Sequence, residues 1–320
     1  MLTDLYPTLF QTIPEDGAAF FGMPVDGDYP YWLAIDAQAY PALLLPARVD
    51  DLRPDITMRA VDALFSRTCV IDTDTAAPHE GCYSLIRLKE SDPAIVRLFL
   101  RILEESFCTT SPPTTNAEVA GRVQQVAALF SRIEDNTCDL IGLWGELTVI
   151  NYAQNTEAAV RCWSTRKTAK YDFVAENFVL DVKTTLKSIP QHRFSLDQLR
   201  PSGSFNAYIA SLCVIEVQSG QTVAELMETL AARISDSDLR SAFLIQCLTK
   251  GGRDLYRSDL ALQTYPDNAS LSLFRAEEIP VPHVRASDPI ENIRFDVDLS
   301  EIVPLPDQYR TSILTFELTE

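Results

Sequence analysis

Tyr171-Asp-Phe-Val-Ala-Glu-Asn-Phe-Val-Leu-Asp-Val-Lys-Thr-Thr185 has the pattern of two short strands joined by a tight turn. Phe178, Leu180 and Val182 alternate with Val179, Asp181 and Lys183, the two-residue period of a half-buried strand. Asp181 and Lys183 therefore share a face. The preceding run from Lys170 to Val174 is aromatic and β-branched enough to pair with it. With Glu176-Asn177 as the turn, Asp172 falls opposite Asp181 and Lys170 opposite Lys183. Opposed residues in an antiparallel pair hold their Cβ atoms about 4.5–5.5 Å apart. Two carboxylates that close repel unless a cation neutralises them, and Mg²⁺ is commonly held by one or two carboxylates plus a substrate phosphate.

Asp172 followed by Asp181-x-Lys183 at the end of an apolar strand resembles the PD-(D/E)XK nuclease signature. Gly142-Leu-Trp-Gly-Glu146-Leu upstream, with Thr184-Thr185 and Phe194-Ser-Leu-Asp-Gln198-Leu199 downstream, widens the resemblance. The wider set is similar to the "putative PD-(D/E)XK family member" group, associated with bacterial restriction and phage-defence operons. Tyr171 stands where the signature has proline, a position that varies widely. The resemblance implies that Asp172 and Asp181 bind Mg²⁺ or Mn²⁺, with Glu146 and the Val182 carbonyl as further ligands. It implies that Lys183 positions or activates the attacking water. Gln198, Thr184 and Lys170 are the candidate phosphate or substrate contacts; Gln198 either touches phosphate or Lys183 or is an ordinary helix residue, and Thr184 either binds phosphate or ends the strand.

The implied fold is α/β (α+β overall), a restriction-endonuclease-like core whose mixed central sheet is flanked by helices. A β-rich N-terminal domain and a small β-rich C-terminal extension accompany it. The expected boundaries are residues 1–108 for an α+β N-terminal domain, 109–116 for a linker, 117–252 for the core and 253–320 for the extension. Tyr31–Ile35, Ala42–Leu45, Arg67–Ile71 and Tyr83–Arg87 are apolar runs between turn residues in the first of these. Asp92-Pro93 supplies an N-cap and a first-turn proline, and Ile95, Leu98, Phe99 and Leu103 form one helical stripe. Thr109-Thr-Ser-Pro-Pro-Thr-Thr-Asn116 is the linker candidate, and Thr115-x-x-Glu118 opens the next helix. A helix from near Asp139 carries Leu140, Leu143, Trp144 and Leu147, with Gly142 and Gly145 expected to allow close approach to the sheet. Asn206 to Val217 is the expected central strand, and two helices follow it, the second ending at Gly251-Gly252. His79, His192 and His283 are each expected in loops without companion ligands.

The net charge of −18 argues against a protein that simply coats DNA, because phosphate contacts need Lys and Arg. The distribution is uneven: residues 151–200 carry eight basic and five acidic residues, a net +3, which leaves −21 for the remainder. A locally basic segment in an acidic chain suits a cleft that admits phosphate. Seven scattered cysteines without a Cys-x-x-Cys pair fit buried thiols in a reducing cytoplasm. No run approaches the ~18 apolar residues of a membrane span, and the N-terminal residues show no signal-peptide pattern, so no membrane partner is expected.

The expected activity is Mg²⁺-dependent phosphodiester hydrolysis, with DNA as substrate and other subunits of a restriction or defence system as partners. The rival expectations are a catalytically silent nuclease-like scaffold in such a complex and an acidic adaptor for a basic protein. No glycine-rich phosphate loop, Gly-x-Ser-x-Gly or His-Glu-x-x-His motif is present.

Overall fold

The computed structural model describes residues 2–14, 20–25, 29–58, 60–73, 77–134, 139–164, 169–200, 205–256, 258–265, 271–283 and 292–316. The chain divides into two compact units: residues 1–136 with 252–257, and residues 137–251 with 258–320.

The first unit opens with helix α1 (Leu2–Leu9), which the turn-rich sequence around it conceals. Strands β1 (Phe20–Pro24), β2 (Trp32–Ile35), β3 (Pro41–Pro46), β4 (Ile56–Thr57), β5 (Val61–Asp72) and β6 (His79–Leu88) form one sheet in the order β1-β2-β3-β6-β5-β4. A parallel pairing of β1 with β5 closes the path β1-β2-β3-β6-β5 on itself. Its interior takes the alternate apolar residues Ala34, Leu44, Ile71 and Leu85. His79 opens β6 rather than lying in a loop, and it stacks on Trp32.

Helix α2 (Pro93–Leu103) starts where the Asp92 carboxylate accepts the Ala94 and Ile95 N–H groups, and Ile95, Leu98, Phe99 and Leu103 are buried. A π-helical turn (Glu104–Cys108) continues it and buries an Arg101–Glu104 ion pair of 2.6 Å. Helix α3 (Asn116–Glu134) follows. The Thr/Ser/Pro stretch before it is not a free linker. Arg122 donates to the Ser106 and Ser111 carbonyls, and buried Asn116 bonds Ser84, Ser66 and Asp51. These bonds tie 109–116 and α3 to the first unit, so the division between units lies beyond α3 instead of at residue 109.

The second unit contains α4 (Leu140–Tyr152), α5 (Thr156–Cys162), β7 (Phe173–Val174), β8 (Phe178–Thr185), β9 (Gln191–Ser195), α6 (Leu196–Leu199), β10 (Asn206–Gln221), α7 (Val223–Ala231), α8 (Ser237–Gly251), β11 (Leu262–Thr264), β12 (Ser272–Arg275), β13 (Arg294–Asp298) and α9 (Asp307–Ile313). Its main sheet runs β11-β10-β8-β7, with β12 also on β10. The β8–β10 pair is parallel and the others are antiparallel, the mixed sheet expected. Capping boxes at Ser195 and Thr222 start α6 and α7.

The C-terminal residues do not form a separate extension. β12 pairs with the central strand β10, and β13 pairs with β9. Leu273 and Phe274 are buried, and Phe316 packs on Phe173 and Phe178. The segment is alternately apolar because it completes this core. The described cysteines are free thiols, but only Cys69 and Cys247 are buried; Cys138 lies outside the described residues. No helix among the described residues is long and apolar enough to cross a membrane.

Candidate active site

The hairpin forms in the register that the alternation dictates, Phe173 with Leu180 and Val174 with Val179, around the Glu176-Asn177 turn closed by the Ala175 N–H to Phe178 carbonyl bond of 3.0 Å. Pairing ends at Phe173, because β7 is two residues long. Asp172 stands one step beyond it and turns its carboxylate onto the Val182 N–H at 2.7 Å. Lys170 is not brought into a pair with Lys183. Its ammonium is 5.4 Å from the Tyr171 ring centroid, and the residue is exposed.

Asp181 is deeply buried on β8. Its Oδ1 accepts from Gln198 Nε2 at 2.9 Å, and its Oδ2 lies 2.7 Å from the Lys183 ammonium. Oδ2 has no aligned hydrogen bond among the described residues, so its link to Lys183 is ionic. Gln198 owes its place to the capping box of α6: its Oε1 accepts the Ser195 N–H while its amide reaches Asp181. It touches Asp181, and not Lys183. Lys183 also lies 5.8 Å from the Phe194 ring centroid on β9.

Thr184 faces α4. A Cβ built on Gly145 would come within 1.8 Å of Thr184 Oγ1, and that hydroxyl is buried without a hydrogen-bond partner among the described residues. Gly145 thus permits the close helix–strand approach expected of it, and Thr184 fills that contact instead of facing solvent. Gly142 serves otherwise, donating its N–H to the Asp139 cap.

Glu146 lies partly buried on α4. Trp163 Nε1, at the end of α5, and the Lys250 ammonium, in the last turn of α8, both reach its Oε2. Lys250 lies 4.8 Å from the Trp163 ring centroid.

The three carboxylates act on one another. Burial, reinforced by the charge of Asp172, pushes Glu146 up to about 7 against the pull of Lys250. Burial also raises Asp181 to about 7, opposed by Lys183 and reinforced by Asp172. Asp172 is raised by burial too, restrained by the Val182 N–H and by Lys250 and Lys183. Three acids thus share two lysines, and the excess acid is met by carboxyls that hold protons up to about neutral pH. That excess of acid and the all-oxygen donors suit a hard divalent cation. No group of three His, Cys, Asp or Glu among the described residues is gathered as a metal cage. Two aspartates with the Val182 carbonyl would be completed by water and substrate oxygens.

His192, expected in a surface loop, is buried on β9 with its Nε2 2.7 Å from Ser211 Oγ. Burial and the nearby Lys183 lower its pKa to about 4, so it is neutral and packs the strand behind the site. Lys250 and Trp163 escaped the sequence reading. Lys250 follows Glu146 by 104 residues, and no local pattern links the two.

The mixed α/β fold of the second unit is consistent with the PD-(D/E)XK nuclease superfamily. The chain belongs to the family described as "Putative PD-(D/E)XK family member", whose sequence pattern matches residues 13–300. No curated protein and no solved structure matches it.

Proposed function

We propose that the protein is a metal-dependent endonuclease that hydrolyses phosphodiester bonds in DNA, working in the cytoplasm with other subunits of a bacterial restriction or phage-defence system. The observation that carries this reading is the buried Asp181–Lys183 ion pair with Asp172 against the same strand. Asp172, Asp181 and the Val182 carbonyl would hold Mg²⁺ or Mn²⁺. The cation, when bound, polarises the phosphate and acidifies water. Lys183 stabilises charge gathering on the phosphate oxygens and orients the attacking water. Gln198 fixes one oxygen of Asp181, and the Val182 N–H fixes Asp172, so neither acid must reorganise when substrate arrives. The net +3 of residues 151–200 supports a phosphate-bearing substrate there.

The direct assay is plasmid cleavage with Mg²⁺ or Mn²⁺, comparing the wild type with Asp181→Ala and Lys183→Ala. Each variant is expected to lose activity by roughly 10²–10³-fold. Full activity in both would remove the assignment. The acidity outside residues 151–200 favours a second reading, a silent nuclease-like scaffold within such a complex. Failure to bind metal in calorimetry, with no cleavage even in the presence of its neighbouring subunits, selects that reading.

A further inference from the structure

Glu146 is the residue for which geometry and family resemblance part company. As a third metal ligand it should present its carboxylate to Asp172 and Asp181. Asp172 is near enough for its charge to act on Glu146, yet two donors from elsewhere in the fold converge on one oxygen, Oε2: the indole N–H of Trp163 and the ammonium of Lys250. Lys250 is held from a second side by the Trp163 ring, 4.8 Å from its ammonium to the centroid. The three residues come from α4, the end of α5 and the last turn of α8, so each helix contributes one piece. The side chains of Lys250 and Lys183 retain similar access to solvent, 17% and 19%. Two lysines thus reach the surface from this site, each braced by a carboxylate and by an aromatic ring, Asp181 with Phe194 for one and Glu146 with Trp163 for the other.

We infer that Glu146 serves the site as the anchor of a second lysine, Lys250, and not as a third ligand of the cation. Lys250 is then a positioning partner to Lys183, a fixed positive charge offered to the phosphate backbone. Trp163 holds both members of the pair in one orientation. The inference rests on the reading of Asp172 and Asp181 as the metal-holding pair.

Calorimetric titration of the full chain with Mn²⁺ separates the two possibilities. Glu146→Gln is expected to bind Mn²⁺ within about twofold of wild type, whereas Asp181→Asn is expected to weaken binding at least about tenfold. A loss in Glu146→Gln matching that in Asp181→Asn would make Glu146 a ligand and overturn the inference. If Asp181→Asn binds as tightly as wild type, or the wild type binds no Mn²⁺, the two-aspartate reading itself falls. Because a single change leaves a buried charge unpaired, the double variant Glu146→Gln/Lys250→Met is measured alongside, with the same expectation of near-wild-type affinity. In a separate measurement of DNA binding in Ca²⁺, Lys250→Met should flatten the salt dependence by about one phosphate contact, with Lys250→Arg restoring it. An unchanged slope counts against the phosphate role. Crystals of the wild type soaked in Mn²⁺ need no variant at all. Glu146 remaining on Lys250 supports the inference, and its carboxylate swung onto the ion refutes it.

Discussion

The Asp62 cluster of the first unit and the Asp181 cluster of the second both set carboxylates beside cations, and the contrast between these two lies in how the charges balance. In the first unit, Asp62 on β5 takes Arg87 at 3.0 Å and Lys89 at 2.9 Å, while Arg87 also reaches Asp36 at 3.4 Å. Two acids meet two bases. Burial pushes Asp62 up, but the hydrogen bonds from Lys89 and Arg87 outweigh it and hold the group below the usual carboxylate range. In the second unit, the cations beside Glu146, Asp172 and Asp181 among the described residues are Lys250 and Lys183, and burial keeps all three acids raised. Carboxylates beside cations thus give a self-satisfied structural cluster in one place and an electrostatically unfinished one in the other. An unfinished cluster is what a site needs if it is to attract a cation.

Several substitutions can break this contrast. The largest difference is expected in catalysis: Asp181→Asn should lower plasmid cleavage by roughly 10³-fold. Asp62→Asn should leave the rate per folded molecule unchanged. Equal losses would show that charge balance does not distinguish the clusters. Stability should reverse the order. Asp62→Asn leaves Lys89 without its carboxylate and Arg87 with Asp36 alone, and because both cations are about a quarter exposed the expected cost in urea denaturation is about 1–3 kcal/mol. Asp181→Asn brings the second cluster to equal numbers of acids and bases, so the metal-free protein should melt at a higher temperature than wild type.

The dependence on pH sharpens the same contrast. A carboxyl near 7 in the folded chain and at its ordinary value near 4 when unfolded binds more protons folded than unfolded across that interval. The contribution of Asp181 and Glu146 is therefore full below about pH 4 and lost as pH rises through about 7. Asp62, lowered, works the other way, stabilising above its unfolded value and losing that stability in acid. Melting of metal-free protein across pH 5–8 should show the decline, and Asp181→Asn should flatten it. The smallest effect concerns packing: Gly145→Ala should gain up to ~1 kcal/mol of helix propensity but drive its Cβ into Thr184, for a net loss of about 1–2 kcal/mol by denaturation. A stabilised Gly145→Ala variant would show that α4 can move away from β8 without penalty.

Much of the site was legible because its geometry is local. The alternation from Phe178 to Lys183 and the two turn residues suffice to set the β7–β8 register, and the pairing observed is that register. Helix starts at Asp92, Ser195 and Thr222 follow from side chains within three residues of the N–H groups they cap. What stayed hidden depends on distant partners. His192 follows Pro190 and looked like loop, but its strand exists because residues 294–298 pair with it. Lys250 resembles any basic residue in a helix's last turn until folding sets it on Glu146. The Thr/Ser/Pro run at 109–116 has a linker's composition, yet Asn116 and Arg122 bind it to the first unit.

The central claim, that Asp172 and Asp181 hold a cation and that Asp181, raised to about 7, is partly protonated without one, is tested most directly by Mn²⁺ calorimetry near pH 6 in two buffers of different ionisation enthalpy. Raised carboxyls must give up protons as they take the ion. The wild type should bind with a buffer-dependent heat corresponding to about half a proton or more released per ion, and Asp181→Asn should lose most of that binding. Absence of binding, or binding that neither releases protons nor responds to Asp181→Asn, would contradict the account.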